Sequence, residues 1–237
     1  MNTDQQNSET LSAVAARYTY LPFVPGISLP EPPAAPASFS GSAQTDGADA
    51  GYQPAPTPEE CFRLWDRYAV PPHIRDHCRQ VALVLTGVGD LAIERGAVLS
   101  RSTLLSGGLL HDIAKMYTVH YPGNHAQIGA AVVLRETGNY LLSQMVYHHV
   151  NWPWEIDVYN DRILHVLLMS YADKRVMHDR IVSLEDRFAD LKERYGHNER
   201  SLAMLTLAHR QAVEVEAALS RRLEVKINEY NFGSKTQ

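Results

Sequence analysis

Residues 102–117 read STLLSGGLLHDIAKMY, and a histidine beside an aspartate in that apolar run decides how the rest of the chain is read. The segment is expected to form one helix, with His111 and Asp112 late in it. Adjacent polar side chains on a core helix are costly to bury unless they are paired or bound to a metal. Imidazole nitrogen with carboxylate oxygen is a donor mix that suits zinc, iron or manganese. Either residue alone would more often be a satisfied core or capping residue.

Two positions elsewhere strengthen the metal reading. Asp173 lies in YADKRV, directly after the apolar ILHVLLMS. A buried aspartate there needs a cation, a donor network or a metal. Lys174 and Arg175 offer an ion pair, but neighbours on a helix point elsewhere. His77 lies in IRDHCRQVA, near Val81 on a helix face. With His111, Asp112 and Asp173 it makes three helices that can converge in a bundle core, where such proteins build metal sites.

The surrounding pattern is helical. Thr57 precedes Glu60 by three, the spacing of a capping box, with Pro58 at the first helical position. Cys61, Leu64, Trp65 and Tyr68 follow at helical spacing. VPPHIRDHCRQVALVLTGVGDLAIERG is expected as a long helix with Ile74, Cys78, Val81, Ala82 and Leu85 on one face. NHAQIGAAVVLRETG is capped by Asn124 and stopped by Gly138. NYLLSQMVYHH, DRILHVLLMSYADKRV, Leu184–Tyr195 and Ser201–Glu224 complete the set. No alternating strand pattern stands out, so the class is all-α, a single helical bundle without internal repeats.

The chain has 237 residues, 27 acidic and 22 basic side chains, 11 histidines and two cysteines. A net charge of −5 gives no reason to expect nucleic acid as a partner. Two cysteines exclude a disulfide scaffold and a four-thiolate zinc site. No apolar run approaches the roughly 20 residues that cross a bilayer. MNTDQQNSET lacks the basic start and apolar stretch of a signal peptide, so a cytoplasmic location is expected. Residues 1–58 hold nine of the 13 prolines, no histidine, one basic residue and five acidic ones. They are expected to be a flexible or extended leader, because such a stretch cannot offset its ordering entropy by burial. The expected division is a leader over 1–58, a core over 59–196, and a C-terminal helix and tail over 197–237.

The order His77, His111-Asp112, Asp173, set in GLLHDIAK, HAQIGA and YADKRV, resembles the HD-domain superfamily of metal-dependent phosphohydrolases. The likeness covers roughly 59–195. It implies a helical fold with metal at the bundle centre and, in the six-ligand subgroup, two divalent ions. Iron or manganese is favoured for this donor set, with zinc, nickel, cobalt or magnesium as further candidates. The resemblance carries over a ligand set of His77, His111, Asp112, His125, His148 and Asp173. His149 then stands beside the site as a further metal or substrate contact. The alternative for His148 or His149 is a helix C-cap, where imidazolium is favourable.

Lys115 follows Asp112 by three residues and shares its helix face, placing it to meet a phosphate; the alternative is a snorkelling surface lysine. Asp112 and Lys115 are the expected catalytic residues. Lys115, His149, Lys174 and Arg175 are the expected substrate contacts, unless the charges of RVMHDR form a solvated face. Trp152 and Trp154 are expected to pack in the core, with base stacking as the alternative. Cys78 reads as buried filler and LEDRFADLKERYG as a solvated helix. The implied reaction is hydrolysis of a nucleotide or other small phosphoester or phosphoanhydride by a metal-activated hydroxide.

The likeness extends to bacterial HD hydrolases that split symmetric dinucleoside tetraphosphates, but not to the leader, the NWPW loop or the C-terminal helix. The GYP signature of cyclic di-GMP phosphodiesterases is missing after His148-His149. Two other functions use the same fold: a di-iron oxygenase cleaving a C–C or C–P bond, and a silent nucleotide-binding module. A homodimer is compatible with all three.

Overall fold

The computed structural model describes residues 53–152 and 155–232. The elements are α1 (Pro58–Arg67), α2 (Pro72–Glu94), α3 (Arg101–Leu110), α4 (Lys115–His120), α5 (His125–Thr137), α6 (Tyr140–His148), α7 (Asp161–Lys174), β1 (Val176–Met177), β2 (Arg180–Ile181), α8 (Leu184–Tyr195) and α9 (Glu199–Leu223). The all-α class holds. The one departure among the described residues is a short antiparallel hairpin, with Val176 opposite Ile181 and Met177 opposite Arg180.

Local signals account for most helix ends. The Glu60 amide donates to Thr57 Oγ1 at 3.3 Å and the Thr57 amide to Glu60 Oε2 at 2.8 Å, closing the capping box. Asn124 Oδ1 accepts from Ala126 N and caps α5, and Gly138 ends it at φ 66°, a left-handed conformation that glycine adopts without a Cβ penalty. Leu164, Leu167, Leu168 and Met169 on α7 are fully buried. Each such side chain contributes about 1.5–3 kcal/mol of burial, so α7 is a firm mount for Asp173 at its C-terminal end.

The expected continuous helix through GLLHDIAK is interrupted. α3 stops at Leu110, residues 111–114 form a tight turn, and α4 begins at Lys115. Leu109, Leu110, Ile113 and Ala114 are all buried. The turn lets apolar side chains on both sides of the pair reach the core, and it aims His111 and Asp112 inward. The Trp65 indole donates to Leu109 O at 2.8 Å, pinning the last turn of α3 from α1.

α3 lies at the centre, packed on α1, α2, α6 and α7. Its contact with α2 depends on Gly108, where a Cβ would fall 2.4 Å from Ala82 Cα and 2.7 Å from Ala82 N. Backbone cannot yield as a flexible side chain does. Gly108→Ala is therefore expected to cost about 1–3 kcal/mol or more, lowering the melting temperature by about 2–12 °C. A melt within one degree of wild type would contradict this close approach.

The packed region begins before Pro58. Ala55 and Pro56 are buried, Ser106 Oγ donates to Pro56 O at 2.6 Å, and Asn139 Nδ2 donates to Gln53 O at 2.5 Å. These bonds tie residues 53–56 to α3 and α6. The leader expected over 1–58 otherwise lies outside the described residues. No described helix is long and apolar enough to cross a membrane.

Candidate metal centre

Helix ends meet at one place. His77 comes from the second turn of α2, and His111 and Asp112 from the α3–α4 turn. His125 is the first residue of α5, His149 is the C-cap of α6, and Asp173 and Lys174 end α7. His77 Nε2 lies 3.3 Å and His111 Nε2 3.6 Å from Asp173 Oδ1. His125 Nε2 lies 3.2 Å and His149 Nε2 3.6 Å from Asp112 Oδ1. His111 Nε2 is 3.7 Å and Lys115 Nζ 3.4 Å from Asp112 Oδ2. Asp112 thus stands between two groups of imidazoles, one oxygen toward each.

The tautomers follow from the partners of the other ring nitrogens. His77 Nδ1 donates to His178 O at 2.9 Å, His111 Nδ1 to Gly108 O at 2.9 Å, and His149 Nδ1 to Val146 O at 2.6 Å. A carbonyl only accepts, so Nδ1 carries the proton in each ring. The Nε2 atom of each ring therefore faces a carboxylate oxygen. A cation between them would be coordinated by both, and backbone carbonyls on the far nitrogen are the usual supports of metal-bound histidines. His111 Nε2 and Asp112 Oδ1 are buried without a hydrogen-bond partner. Burial alone would protonate Asp112, but the Lys115 charge first, then His111, with His125 and His149 beside it, hold its carboxyl well below the usual range. Burial opposes ionisation of Asp173 too, and Lys174, His111 and His77 hold it well below that range. Burial pushes His149 down to about 4, so it is neutral, the form that ligates a metal. The donor set fits a divalent cation. His77, His111 and Asp173, and His111, Asp112 and His149, each bring their ligand atoms within 4.8 Å of one another, and His125 borders the second group.

Three expectations change. His148 is not in the cluster. Its ring lies edge-on to Trp152 at 6.2 Å and to Tyr147 at 4.6 Å, and burial lowers it to about 4, which also removes the charged C-cap alternative. His149 takes the place expected of His148, because its ring is locked by Val146 O and faces Asp112. Arg175 is not a substrate contact. It is buried, and donates to Val182 O, Tyr171 Oη, Ile227 O and Asn228 O. That makes it a clamp on the segment after α9. Arg175→Ala leaves several buried carbonyls unpaired and is expected to cost about 3–5 kcal/mol, a fall in melting temperature on the order of 10 °C. Metal content per folded molecule is expected to stay at the wild-type value; an unchanged melt with lost metal would reverse the assignment.

The Lys174 ammonium is buried, donating to His149 O and to Asp173 Oδ2 at 3.2 Å, so it positions two cluster residues. Lys115, with its side chain 35% exposed, reaches solvent beside Asp112. Trp152 is buried as expected and Trp154 lies outside the described residues. Both cysteines are free and buried. Sequence reasoning missed His178, whose backbone carbonyl orients His77 from a left-handed residue at φ 56° in the hairpin. A carbonyl leaves no side-chain signal to find.

A helical bundle that gathers imidazoles and two ionised aspartates at its helix ends defines a class of protein with a histidine–aspartate cluster that could hold a metal ion. Residues 74–191 match the family model of the HD domain, and the chain belongs to the HD superfamily of metal-dependent phosphohydrolases. No curated protein and no solved structure matches the chain.

Proposed function

We propose that this protein hydrolyses a nucleotide or another small phosphoester or phosphoanhydride, using two divalent cations held by His77, His111, Asp112, His125, His149 and Asp173. The observation that carries the reading is the set of three imidazoles with Nδ1–H locked on carbonyls and Nε2 atoms aimed at ionised, buried carboxylates. When bound, such cations supply Lewis acidity and a water acidified toward neutral pH. Asp112 lies between the two groups of imidazoles and serves both. Lys115 presents a solvent-reaching ammonium 3.4 Å from Asp112 Oδ2, where it meets the negative charge of a phosphoryl group. Lys174 keeps Asp173 and the His149 backbone in place.

The test is a metal-reconstituted screen against dinucleoside polyphosphates, nucleotides and simple phosphate esters, with elemental analysis of protein purified without added metal and oxygen uptake followed in parallel. Phosphate release with nearly two ions per chain is the expected result. One ion or none would refute the two-metal reading. Oxygen consumption without phosphate release from any ester would replace hydrolysis with oxygenation. Full metal loading without turnover would make the protein a binding module.

A further inference from the structure

Between α7 and α8 the chain makes a hairpin whose tip touches a member of the metal centre. Val176 on β1 is fully buried, and both strands pack on α2, β1 also on α7 and α8. The Val182 amide donates to Arg175 O at 2.8 Å and closes the base. Met177 pairs with Arg180, so His178 and Asp179 form a two-residue loop. His178 opens that loop at φ 56°, the left-handed region that the first position of such loops favours and that glycine fills most easily. Its carbonyl is turned onto α2, where it receives His77 Nδ1 at 2.9 Å. Among the described residues, no other acceptor meets that nitrogen. The His178 side chain is 58% exposed, with Nε2 3.9 Å from Asp190 Oδ1. The contact with the centre is made by the carbonyl of His178 and not by its imidazole.

We propose that the hairpin tip is the mount of one half of the metal centre. Through its carbonyl, His178 positions His77 and sets how tightly the group of His77, His111 and Asp173 holds its ion, while the group of Asp112, His125 and His149 is held by other elements. The reason lies in the two ring nitrogens. With Nδ1–H donated to a carbonyl, Nε2 is the nitrogen left for a cation, and the ring stays aimed at Asp173 Oδ1, 3.3 Å away. Without that carbonyl the proton can sit on either nitrogen and the ring can turn. His111 takes the same support from Gly108 O and His149 from Val146 O, each three residues back in the chain, so neither depends on the hairpin. Of the three, only His77 is supported from a distant segment, 101 residues away in sequence. The inference rests on the two-cation reading of the site and adds which backbone segment governs one of the ions.

The test compares full-length wild type, His178→Gly and His178→Val. Glycine keeps the left-handed backbone and the carbonyl while removing the imidazole. Valine, branched at Cβ, is strongly disfavoured at positive φ and turns the carbonyl away. Manganese-loaded protein is competed against a chelator of known affinity. The zinc-loaded form gives the Nδ1 proton signals of the imidazoles by NMR, with that of His77 assigned through His77→Gln. His178→Val is expected to hold one of its two ions about tenfold to a hundredfold more weakly, the usual range for losing the support of a ligand, and the other within about threefold of wild type. Its His77 Nδ1 proton is expected to be lost to exchange while those of His111 and His149 persist. His178→Gly is expected to match wild type in both measurements. If His178→Val does not fold, His178→Ala is expected to show a smaller loss in the same direction, and no loss there overturns the proposal. So does equal weakening of both ions, an unchanged affinity or His77 signal in the valine variant, or a loss in His178→Gly as large as in His178→Val; each leaves the two-cation reading intact. Wild type that binds fewer than two ions overturns both.

Discussion

Asp112→Asn is expected to empty the metal centre and abolish turnover while the helices stay folded. Asp112 is the one carboxylate shared by both groups of imidazoles, with Oδ1 toward His125 and His149 and Oδ2 toward His111 and Lys115. An amide of the same shape keeps the packing but removes the charge that makes the site attractive to a cation. Its NH2 group can donate to the Nε2 of the neutral His149. Stability without metal is therefore expected to hold or rise, and the gain in melting temperature on adding manganese to disappear. Turnover is expected to fall roughly 10³-fold or more, since a lost electrostatic contact at the reacting centre alone costs about 10²–10³. Elemental analysis, circular dichroism and melting with and without metal check each part. Metal retained at the wild-type level, or lost helix content, would contradict the assignment.

The paired variants His149→Ala and His148→Ala are expected to behave oppositely, although the residues are adjacent. His149 is buried, neutral, locked by Val146 O and turned to Asp112. A four-ligand structural zinc site is worth about 10–16 kcal/mol. Shared among its ligands, that is about 2.5–4 kcal/mol each, so losing His149 is expected to weaken metal binding roughly a hundredfold to a thousandfold. His148 packs edge-on against Trp152 instead. Its loss is expected to lower the melting temperature by several degrees, through the void left beside Trp152, with metal affinity changed less than about threefold. Competition against a chelator of known affinity separates the two. Metal loss in His148→Ala with retention in His149→Ala would restore the order expected from sequence.

These two histidines show how far the sequence could be read. The landmarks IRDHC, HD, HAQIGA, YHH and YADK located every helix that delivers a cluster residue, because apolar periodicity and capping residues are local signals. They left open which of two neighbours points inward. The same limit applies to Lys174 and Arg175, where one side chain serves the centre and the next clamps the chain after α9. The break at His111 was hidden for a related reason: GLLHDIAK keeps a helical pattern, and the turn arises from burying Leu109, Leu110, Ile113 and Ala114 together.

By itself the sequence determined that the chain is helical, and that imidazole and carboxylate side chains of the types that bind metals lie near the ends of particular helices. Burial and backbone pairing impose those patterns residue by residue. The tertiary structure decided which side chains converge. Successive helix residues point about 100° apart, so the choice between His148 and His149, or Lys174 and Arg175, depends on how each helix is rotated against its neighbours. That rotation is set by contacts between residues far apart in the chain, such as Gly108 on Ala82, Trp65 on Leu109 and His77 on the carbonyl of His178.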